Sequence, residues 1–276
     1  MATKAPRLPQ RLWRRLARGA WTASALVTIS AGAALACTTP PWTAADVAPG
    51  SVVTSAAGDT AWYSGLSDAY GHAVLGDALE PTRLHLFRDK TATPCGTSAA
   101  AGANHVFEDI APRFADVDGD GHDDLIAVRS HFQKGAQLVV YTAREARLTP
   151  LAMTPYIGTR NRWLAPAGAA DFDGDGNVEV AFVDRPHLAK TLRIWRFASD
   201  GDFREIATMR GVTNHRIGED FITGGSRDCG DGPEMVLVDA GWQNILTVRY
   251  DDDSFVARAI APFRGQDSVV RVMGCS

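Results

Sequence analysis

Two short segments of this sequence bring carboxylates together at alternating positions around glycines. In both, acids stand at positions 1, 3, 5 and 9 of a turn, and the glycines allow the positive φ angles that curl the chain. Side chains spaced in this way can point at one centre, and Ca²⁺ takes about six to eight oxygen ligands. We therefore predict two calcium sites. The predicted ligands are Asp116, Asp118, Asp120, Asp124 and the backbone carbonyl of His122 in the first loop, and Asp171, Asp173, Asp175, Glu179 and the carbonyl of Asn177 in the second.

The alternative is that these turns are only solvated acidic loops. A single turn would leave that alternative open, but two turns at the same place in a repeat favour a metal. An EF-hand begins with a similar pattern, yet it needs flanking helices and a glutamate at about position 12. Here the last acid stands at position 9 and an apolar segment follows at once.

The two loops belong to a repeat that organises the chain. Asp116 and Asp171 are 55 residues apart, and this spacing holds as far as Val128. A third copy of the apolar segment, residues 234–238, follows at the same period. Its turn, residues 228–234, has lost one residue and two acids, so we predict no metal there. Self-similarity at such a period indicates a propeller, solenoid or array.

Within each copy the apolar residues alternate with a period of two, which indicates strands. Four short antiparallel strands per repeat form a propeller blade, so we predict an all-β fold: a small β-propeller of four or five four-stranded blades over residues 51–276. No useful helical periodicity follows residue 40. In the weaker upstream copy and at the ends, we predict strands at residues 51–63, 74–75, 84–87 and 268–273 and a loop at 90–104.

The acidic turn followed by an apolar strand resembles the FG-GAP/VCBS repeat, the calcium loop of integrin α-subunit propellers and of many bacterial exported proteins. The resemblance covers roughly residues 105–262, with a looser fit upstream. It implies a propeller fold and calcium binding, which the strand pattern and the ligand spacing support independently. It transfers no particular activity.

The N-terminus has the pattern of an export signal. Five arginines between residues 7 and 18 precede an uncharged run, residues 20–36, that ends in Ala-Leu-Ala. A basic head, an apolar stretch and such a cleavage site are typical of a secretory signal. We therefore predict a signal peptide at 1–36, a linker at 37–50 and an exported protein that is periplasmic, secreted or lipid-anchored. A membrane anchor by an uncleaved signal is the alternative.

Four cysteines fit an oxidising compartment, where disulfides persist. Cys37 follows the predicted cut, and the residues before it resemble an imperfect lipobox. Cys37 is therefore either lipidated or paired with Cys95, while Cys229 would pair with Cys275. Four cysteines allow three connectivities, and the sequence does not choose between them.

A second recurrence suggests a ligand site. Asn104-His105, Asn161-Arg162 and Asn214-His215 each precede the first strand of a predicted blade, and inner strands line the central channel of a propeller. Turn caps and blade-to-blade pairs are the alternative interpretation of these polar residues. The candidate ligand-binding residues at the channel mouth are His72, His105, Arg162, His215, Arg216, Glu219 and Asp220.

Charge and motifs narrow the function further. The net charge of −4 lacks the basic balance of a nucleic-acid binder, so we expect a protein or carbohydrate ligand. The sequence holds no nucleophile elbow, zincin motif or paired metal-ligand spacing. A cell-envelope binding or scaffold module is therefore favoured. The alternative is a secreted hydrolase-type propeller that uses His105, His215, Glu219 or Asp220.

Overall fold

The computed structural model describes residues 47–88, 96–144, 147–198, 201–251 and 253–275. The predicted signal peptide, most of the linker, Cys37 and Cys95 lie outside these ranges. The described residues form four antiparallel sheets of four or five strands and one helix, which confirms the predicted all-β fold of a small β-propeller. Val47, in the predicted linker, pairs with Ser64 of the first sheet.

The four sheets follow one another along the chain as blades. Blade 1 comprises β1 (Val53–Thr54), β2 (Thr60–Ser67), β3 (Glu80–Phe87) and β4 (Gly96–Ala100). Blade 2 comprises β5 (His105–Phe107), β6 (Arg113–Ala115), β7 (Asp124–His131), β8 (Gly135–Arg144) and β9 (Arg147–Met153). Blade 3 comprises β10 (Leu164–Ala170), β11 (Glu179–Asp184), β12 (Thr191–Phe197) and β13 (Phe203–Arg210). Blade 4 comprises β14 (Val212–Thr213), β15 (Gly225–Asp228), β16 (Pro233–Asp239), β17 (Asn244–Asp251) and β18 (Ser254–Pro262).

The apolar strand after each turn is buried on both faces, because each face packs against a different neighbour. In β7, Leu125 and Ala127 join a core shared with blade 1, whereas Ile126 and Val128 join a core shared with blade 3. Strand β11 divides its residues in the same way between blades 2 and 4. This two-sided packing explains why the strand is continuously hydrophobic rather than alternating.

A helix, α1 (Gln266–Met273), covers the far face of blade 4. Its buried Val269 and Val272 pack against Val236 and Val238 of β16, the face that another blade would otherwise cover. The prediction of a strand at residues 268–273 is therefore wrong. Asp267 in the first turn and Arg271 in the last have the signs that the helix dipole favours, and the buried pair is spaced three apart.

A long loop between β2 and β3, residues 68–79, contacts every other blade; we call it the central loop. Its Tyr70 stacks on Phe132 of blade 2 at 5.7 Å, and Val74 and Leu75 enter the core shared by blades 2 and 3. The carbonyl of Val74 accepts a hydrogen bond from the Gly218 amide in blade 4, at 2.9 Å. This segment therefore lies where the blades meet, and the strand predicted at 74–75 is wrong.

The innermost strand is interrupted in two blades. In blade 2, β5 and β6 pair with opposite ends of β7, and in blade 4, β14 and β15 pair with opposite ends of β16. The interruptions release residues 108–112 and 214–224 from the sheets. These polar segments turn towards the central loop. Upstream, the loop predicted at residues 90–104 contains β4, which pairs with β3.

Candidate metal loops and central pocket

The first acidic loop, residues 116–124, joins β6 to β7. Asp116 holds it closed, because its two carboxylate oxygens accept hydrogen bonds from the amides of Asp120 at 3.0 Å and Gly121 at 2.9 Å. The carboxylate of Asp120 accepts from the amide of His122 at 2.9 Å. Gly119 and Gly121 both have positive φ, as a turn this tight requires.

The second loop, residues 171–179, joins β10 to β11 and repeats this geometry. Asp171 accepts from the amides of Asp175 at 3.0 Å and Gly176 at 2.9 Å. The carboxylate of Asp175 accepts from the Asn177 amide at 2.8 Å. The same side-chain to backbone bonds thus recur at matching positions, and they aim the alternate carboxylates at one centre.

Each loop gathers three carboxylates whose oxygen atoms lie within 4.8 Å of one another. In the first loop these belong to Asp116, Asp118 and Asp120, and in the second to Asp171, Asp173 and Glu179. Among the described residues, no other group of acids, histidines or cysteines meets this criterion. All-oxygen donor sets of this kind fit a hard divalent cation.

The last acid of each loop is buried at the start of the following strand. Asp124 accepts a hydrogen bond from the Val117 amide at 3.3 Å, and Glu179 accepts from the Phe172 amide at 2.8 Å. Only Glu179 reaches the cluster of its loop, because its side chain is one methylene longer. Burial raises the pKa of Asp124 to about 7 and also raises the pKa of Glu179.

An arginine from the same blade also contacts each cluster. Arg144 of β8 contacts Asp118 and lies 3.2 Å from Asp120, and 55% of its side chain is exposed. Arg196 of β12 contacts Asp173 and lies 2.6 Å from Glu179, with only 18% exposed. Sequence reasoning missed both arginines, because they come from the next strand of the blade, between 17 and 26 residues beyond the acids that they contact.

The third turn has no acid cluster among the described residues. Its only buried acid, Glu234, pairs with Arg227 at 2.7 Å and with Arg249 at 3.4 Å. A disulfide joins Cys229 in this turn to Cys275, just after α1. Two ion pairs and a disulfide therefore hold this turn, whereas the other two turns contain clusters of carboxylates.

A pocket of about 440 Å³ lies beside the central loop. Two of the predicted ligand-binding residues, His72 and Arg162, line it together with Trp163, Arg185 and His187. No acidic side chain is among its described lining residues. Leu188 and Ile217 also line it, and they are two of the most exposed large hydrophobic residues in the described chain, at 63% and 72%.

Hydrogen bonds fix the protonation of the histidines behind this pocket. His215 Nε2 lies 2.9 Å from the carbonyl of Glu219 and must donate to it. His215 Nδ1 therefore accepts from His187 Nε2, 2.9 Å away, which leaves Nδ1 of a neutral His187 as an acceptor. Burial, followed by the neighbouring His215, lowers the pKa of His187 to about 4. On the other side His72 contacts the buried Glu108.

The remaining predicted ligand residues do not reach this pocket. His105 binds the Tyr156 hydroxyl at 2.6 Å, and Arg216 lies over the ring of Trp242 at 4.1 Å. Glu219 accepts from the Arg216 amide at 3.2 Å, and Asp220 lines a different cavity. His215 is bonded to the backbone carbonyl of Glu219, but no hydrogen bond of the described structure joins the side chains of His105, His215, Glu219 and Asp220 to one another.

The pocket residues that sequence reasoning missed are Trp163, Arg185 and His187. His187 follows an Asp-Arg-Pro turn that reads as a hairpin connector. Trp163 reads as a core residue, and it is buried with its indole donating to the Glu108 carbonyl at 2.7 Å. The position of Trp163 in the sequence could have placed it at this site, because it directly follows the Asn161-Arg162 pair.

Comparison with known proteins bears on the repeat. Residues 116–182 match the family model described as an FG-GAP-like repeat, a span that starts at the first acid of the first loop and ends in β11. A search of curated proteins finds no match. The crystal structure of Saccharomyces cerevisiae Sqt1 is similar at a TM-score of 0.35 and 11% identity, over 74% of this chain and 45% of that one. This chain is a small β-propeller that carries an FG-GAP-like repeat.

Proposed function

We propose that this chain is an exported calcium-binding β-propeller that acts as a cell-envelope binding or scaffold module, with calcium in a structural role. The observation that carries the proposal is the pair of acidic loops. Each holds three convergent carboxylates at the same place in its blade. Two independent loops with one shared geometry are difficult to explain as solvated turns.

Calcium would be held by the carboxylates of each loop, with the carbonyl of His122 or Asn177 and water completing the shell. In the first loop this assigns Asp116, Asp118, Asp120 and Asp124, and in the second Asp171, Asp173, Asp175 and Glu179. Extracellular calcium modules bind at about 10⁻⁴–10⁻³ M, which matches an exported protein. At tenfold excess over its dissociation constant, each site stabilises the fold by about 1.4 kcal/mol.

Export is supported by the N-terminal signal pattern and by the cysteines. A disulfide such as Cys229–Cys275 persists in oxidising compartments. No helix within the described ranges is long and apolar enough to cross a bilayer. A lipid on Cys37 or an uncleaved signal remains the proposed route to a membrane.

The pocket beside the central loop is the proposed docking site for a protein or carbohydrate. It combines hydrogen-bonding groups, Arg162 and the Nδ1 atom of His187, with two exposed aliphatic side chains at its rim. Polar groups that converge in a partly apolar concavity are the usual composition of a ligand site. The hydrolase alternative is not favoured, since the one described bond among its four candidates runs from His215 to the backbone carbonyl of Glu219 and joins no two of their side chains.

Thermal unfolding tests the calcium role. We expect the melting temperature of the mature chain to fall by several degrees when a chelator removes calcium, because about 3 kcal/mol of stabilisation from two sites is lost. A double variant, Asp118→Ala with Asp173→Ala, should melt at the same temperature with and without calcium. An unchanged melt of the unmodified chain on chelation would refute the proposal.

A further inference from the structure

A second cavity, of about 500 Å³, lies beside residues 75–79 of the central loop, whereas the pocket described above lies beside residues 72–74. Residues 48–50, Ile110 of blade 2 and Asp220 of blade 4 complete its wall. Most of this wall is apolar and includes Leu66, Leu75 and Leu79. The cavity is therefore an apolar chamber where blades 1, 2 and 4 approach one another.

All the charge in the described lining of this cavity is negative. It comes from Asp77, Asp109 and Asp220, and no basic side chain lies among the lining residues. Asp109 is already compensated, because it pairs with Arg113 at 2.8 Å and accepts from the Val128 amide at 3.1 Å. Asp77 and Asp220 have no comparable ion pair among the described contacts, so the cavity holds uncompensated negative charge.

Two carboxyl groups near this cavity have buried oxygens without a hydrogen-bond partner, and of the two only Asp77 is a lining residue. Oδ1 of Asp77 is buried and accepts no hydrogen bond within the described structure, and the same holds for both oxygens of Glu80, which is 2% exposed. Burial, then Glu108 and Asp77, raises the pKa of Glu80 to about 9, so Glu80 is neutral at pH 7. Burial also raises the pKa of Asp77 above its usual range, and a cation at the unpartnered oxygen would offset that cost of burial. A buried oxygen without a partner calls for an explanation, and a bound water or cation is one such explanation.

The chemistry of that species follows from the cavity. An inorganic cation needs several oxygens around one point, and in the described chain only the two acidic loops bring ligand atoms of three acidic, histidine or cysteine side chains within 4.8 Å of one another. A primary ammonium on an alkyl chain needs fewer acceptors. It can place its charge at Asp77 and Asp220 while its methylenes contact the leucines, as long cationic side chains do elsewhere.

We propose that this cavity binds a primary alkylammonium group, either a free amine or a lysine side chain of a protein partner. The ammonium donates hydrogen bonds to Asp77 and pairs with Asp220, and the alkyl chain packs against Leu75 and Leu79. This goes beyond the calcium role and uses a cavity separate from the pocket lined by His72 and Arg162.

The test is a titration of the calcium-loaded chain with n-butylammonium, followed by amide NMR shifts. We expect shifts at residues 75–79 and at Ile110, with an affinity on the order of millimolar for so small a ligand. Asp77→Asn, which keeps the shape of the side chain, should weaken binding at least about tenfold. Asp220→Asn should weaken it about threefold, since Asp220 is more exposed. Asp251→Asn, on the outer part of blade 4, is the matched control and should bind normally.

n-Butanol separates charge recognition from simple apolar filling. We expect it to bind at least about tenfold more weakly than n-butylammonium. Equal binding of the two, or normal binding by Asp77→Asn, would overturn the proposal. A peptide with a single lysine distinguishes the two sources: binding at the same amides assigns a lysine side chain, and binding by the free amine alone assigns a small ligand. The calcium-dependent melt is measured separately, so failure here leaves the proposed calcium role intact.

Discussion

The two acidic loops have nearly the same backbone and differ in how the protein compensates their negative charge. In the first loop, the mostly exposed Arg144 touches two acids at the outer end, and Asp124 remains outside the cluster. In the second, the mostly buried Arg196 contacts Asp173, Asp175 and Glu179. The second loop therefore contains its own buried counter-cation, whereas the guanidinium beside the first loop is mostly exposed.

This difference separates two roles that one motif can have. A bound metal and a buried guanidinium both relieve the repulsion between carboxylates, so each can hold the turn. Calcium entering the second loop must displace or rearrange Arg196, whereas in the first loop Arg144 can swing into solvent. We therefore expect the first loop to bind calcium more tightly, and the third turn, held by Arg227, Arg249 and a disulfide, to bind none.

The largest expected effect is the loss of Arg196. Arg196→Ala leaves the fully buried Glu179 without its ion pair, and breaking a buried pair destabilises a protein by about 3–5 kcal/mol. Because Arg196 retains some solvent contact, we expect about 2–3 kcal/mol in the calcium-free chain. Urea unfolding in chelator measures it.

Saturating calcium should restore most of this stability, since the cation then replaces the guanidinium. Arg193→Ala is a matched control in the same strand, because Arg193 pairs with Asp184 and Glu205 outside the loop. A loss for Arg196→Ala that is equally large with and without calcium would show that Arg196 acts only as a packing residue.

The second expected effect is a difference in affinity between the loops. Asp173→Ala leaves only the first loop able to bind, and Asp118→Ala leaves only the second. We expect the first to bind calcium about tenfold more tightly, equivalent to about 1.4 kcal/mol. Calorimetric titration of both variants measures it. Equal affinities would contradict the inference that Arg196 competes with calcium in the second loop more strongly than Arg144 does in the first.

A smaller effect is expected from the length of the last acid. Asp124→Glu should bring this carboxylate into the cluster of the first loop, in the position that Glu179 has in the second. We expect the calcium affinity of the first loop to rise a few-fold, or by about 0.5–1 kcal/mol. The reciprocal Glu179→Asp should lower the affinity of the second loop by a similar factor. Each change is made with the other loop disabled. An affinity that moves the same way in both variants would contradict the account.

The smallest expected effect is the loss of Arg144. Exposed ion pairs contribute only about 0.2–1 kcal/mol, so Arg144→Ala should change the calcium-free stability by less than about 0.5 kcal/mol. The calcium affinity of the first loop in this variant should rise less than about twofold. A destabilisation as large as that of Arg196→Ala would mean that the two arginines are equivalent.

The sequence predicted the features that depend on local pattern. Residue types within nine positions define each acidic loop, and a short, continuously apolar run after the turn defines β7, β11 and β16. The prediction was wrong where tertiary packing decides. Residues 268–273, rich in valine, form a helix because Val269 and Val272 need only one buried face on blade 4. Val74 and Leu75 are apolar because they fill a core, although they are not in a strand.

The candidate pocket shows the same limit. The recurring Asn-His and Asn-Arg pairs pointed to the inner ends of the blades, where His72 and Arg162 do line a pocket. The repeat pattern could not indicate that the inner strands of blades 2 and 4 are interrupted. Because of these interruptions, residues at equivalent positions of the repeat have different surroundings. Glu108 is buried against His72 and Ser130, whereas Glu219, its counterpart in blade 4, binds a backbone amide near the surface.

The central loop has a consequence for how the ring unfolds. In linear repeat proteins each unit contacts only its neighbours, so the units can open one at a time. Here one segment of blade 1 stacks on blade 2, enters the core between blades 2 and 3 and accepts a hydrogen bond from blade 4. No blade can separate without disturbing it. The central loop thus couples the blades into a single cooperative unit, with the close approach of Gly76 and Gly218 as the contact that links blade 1 to blade 4.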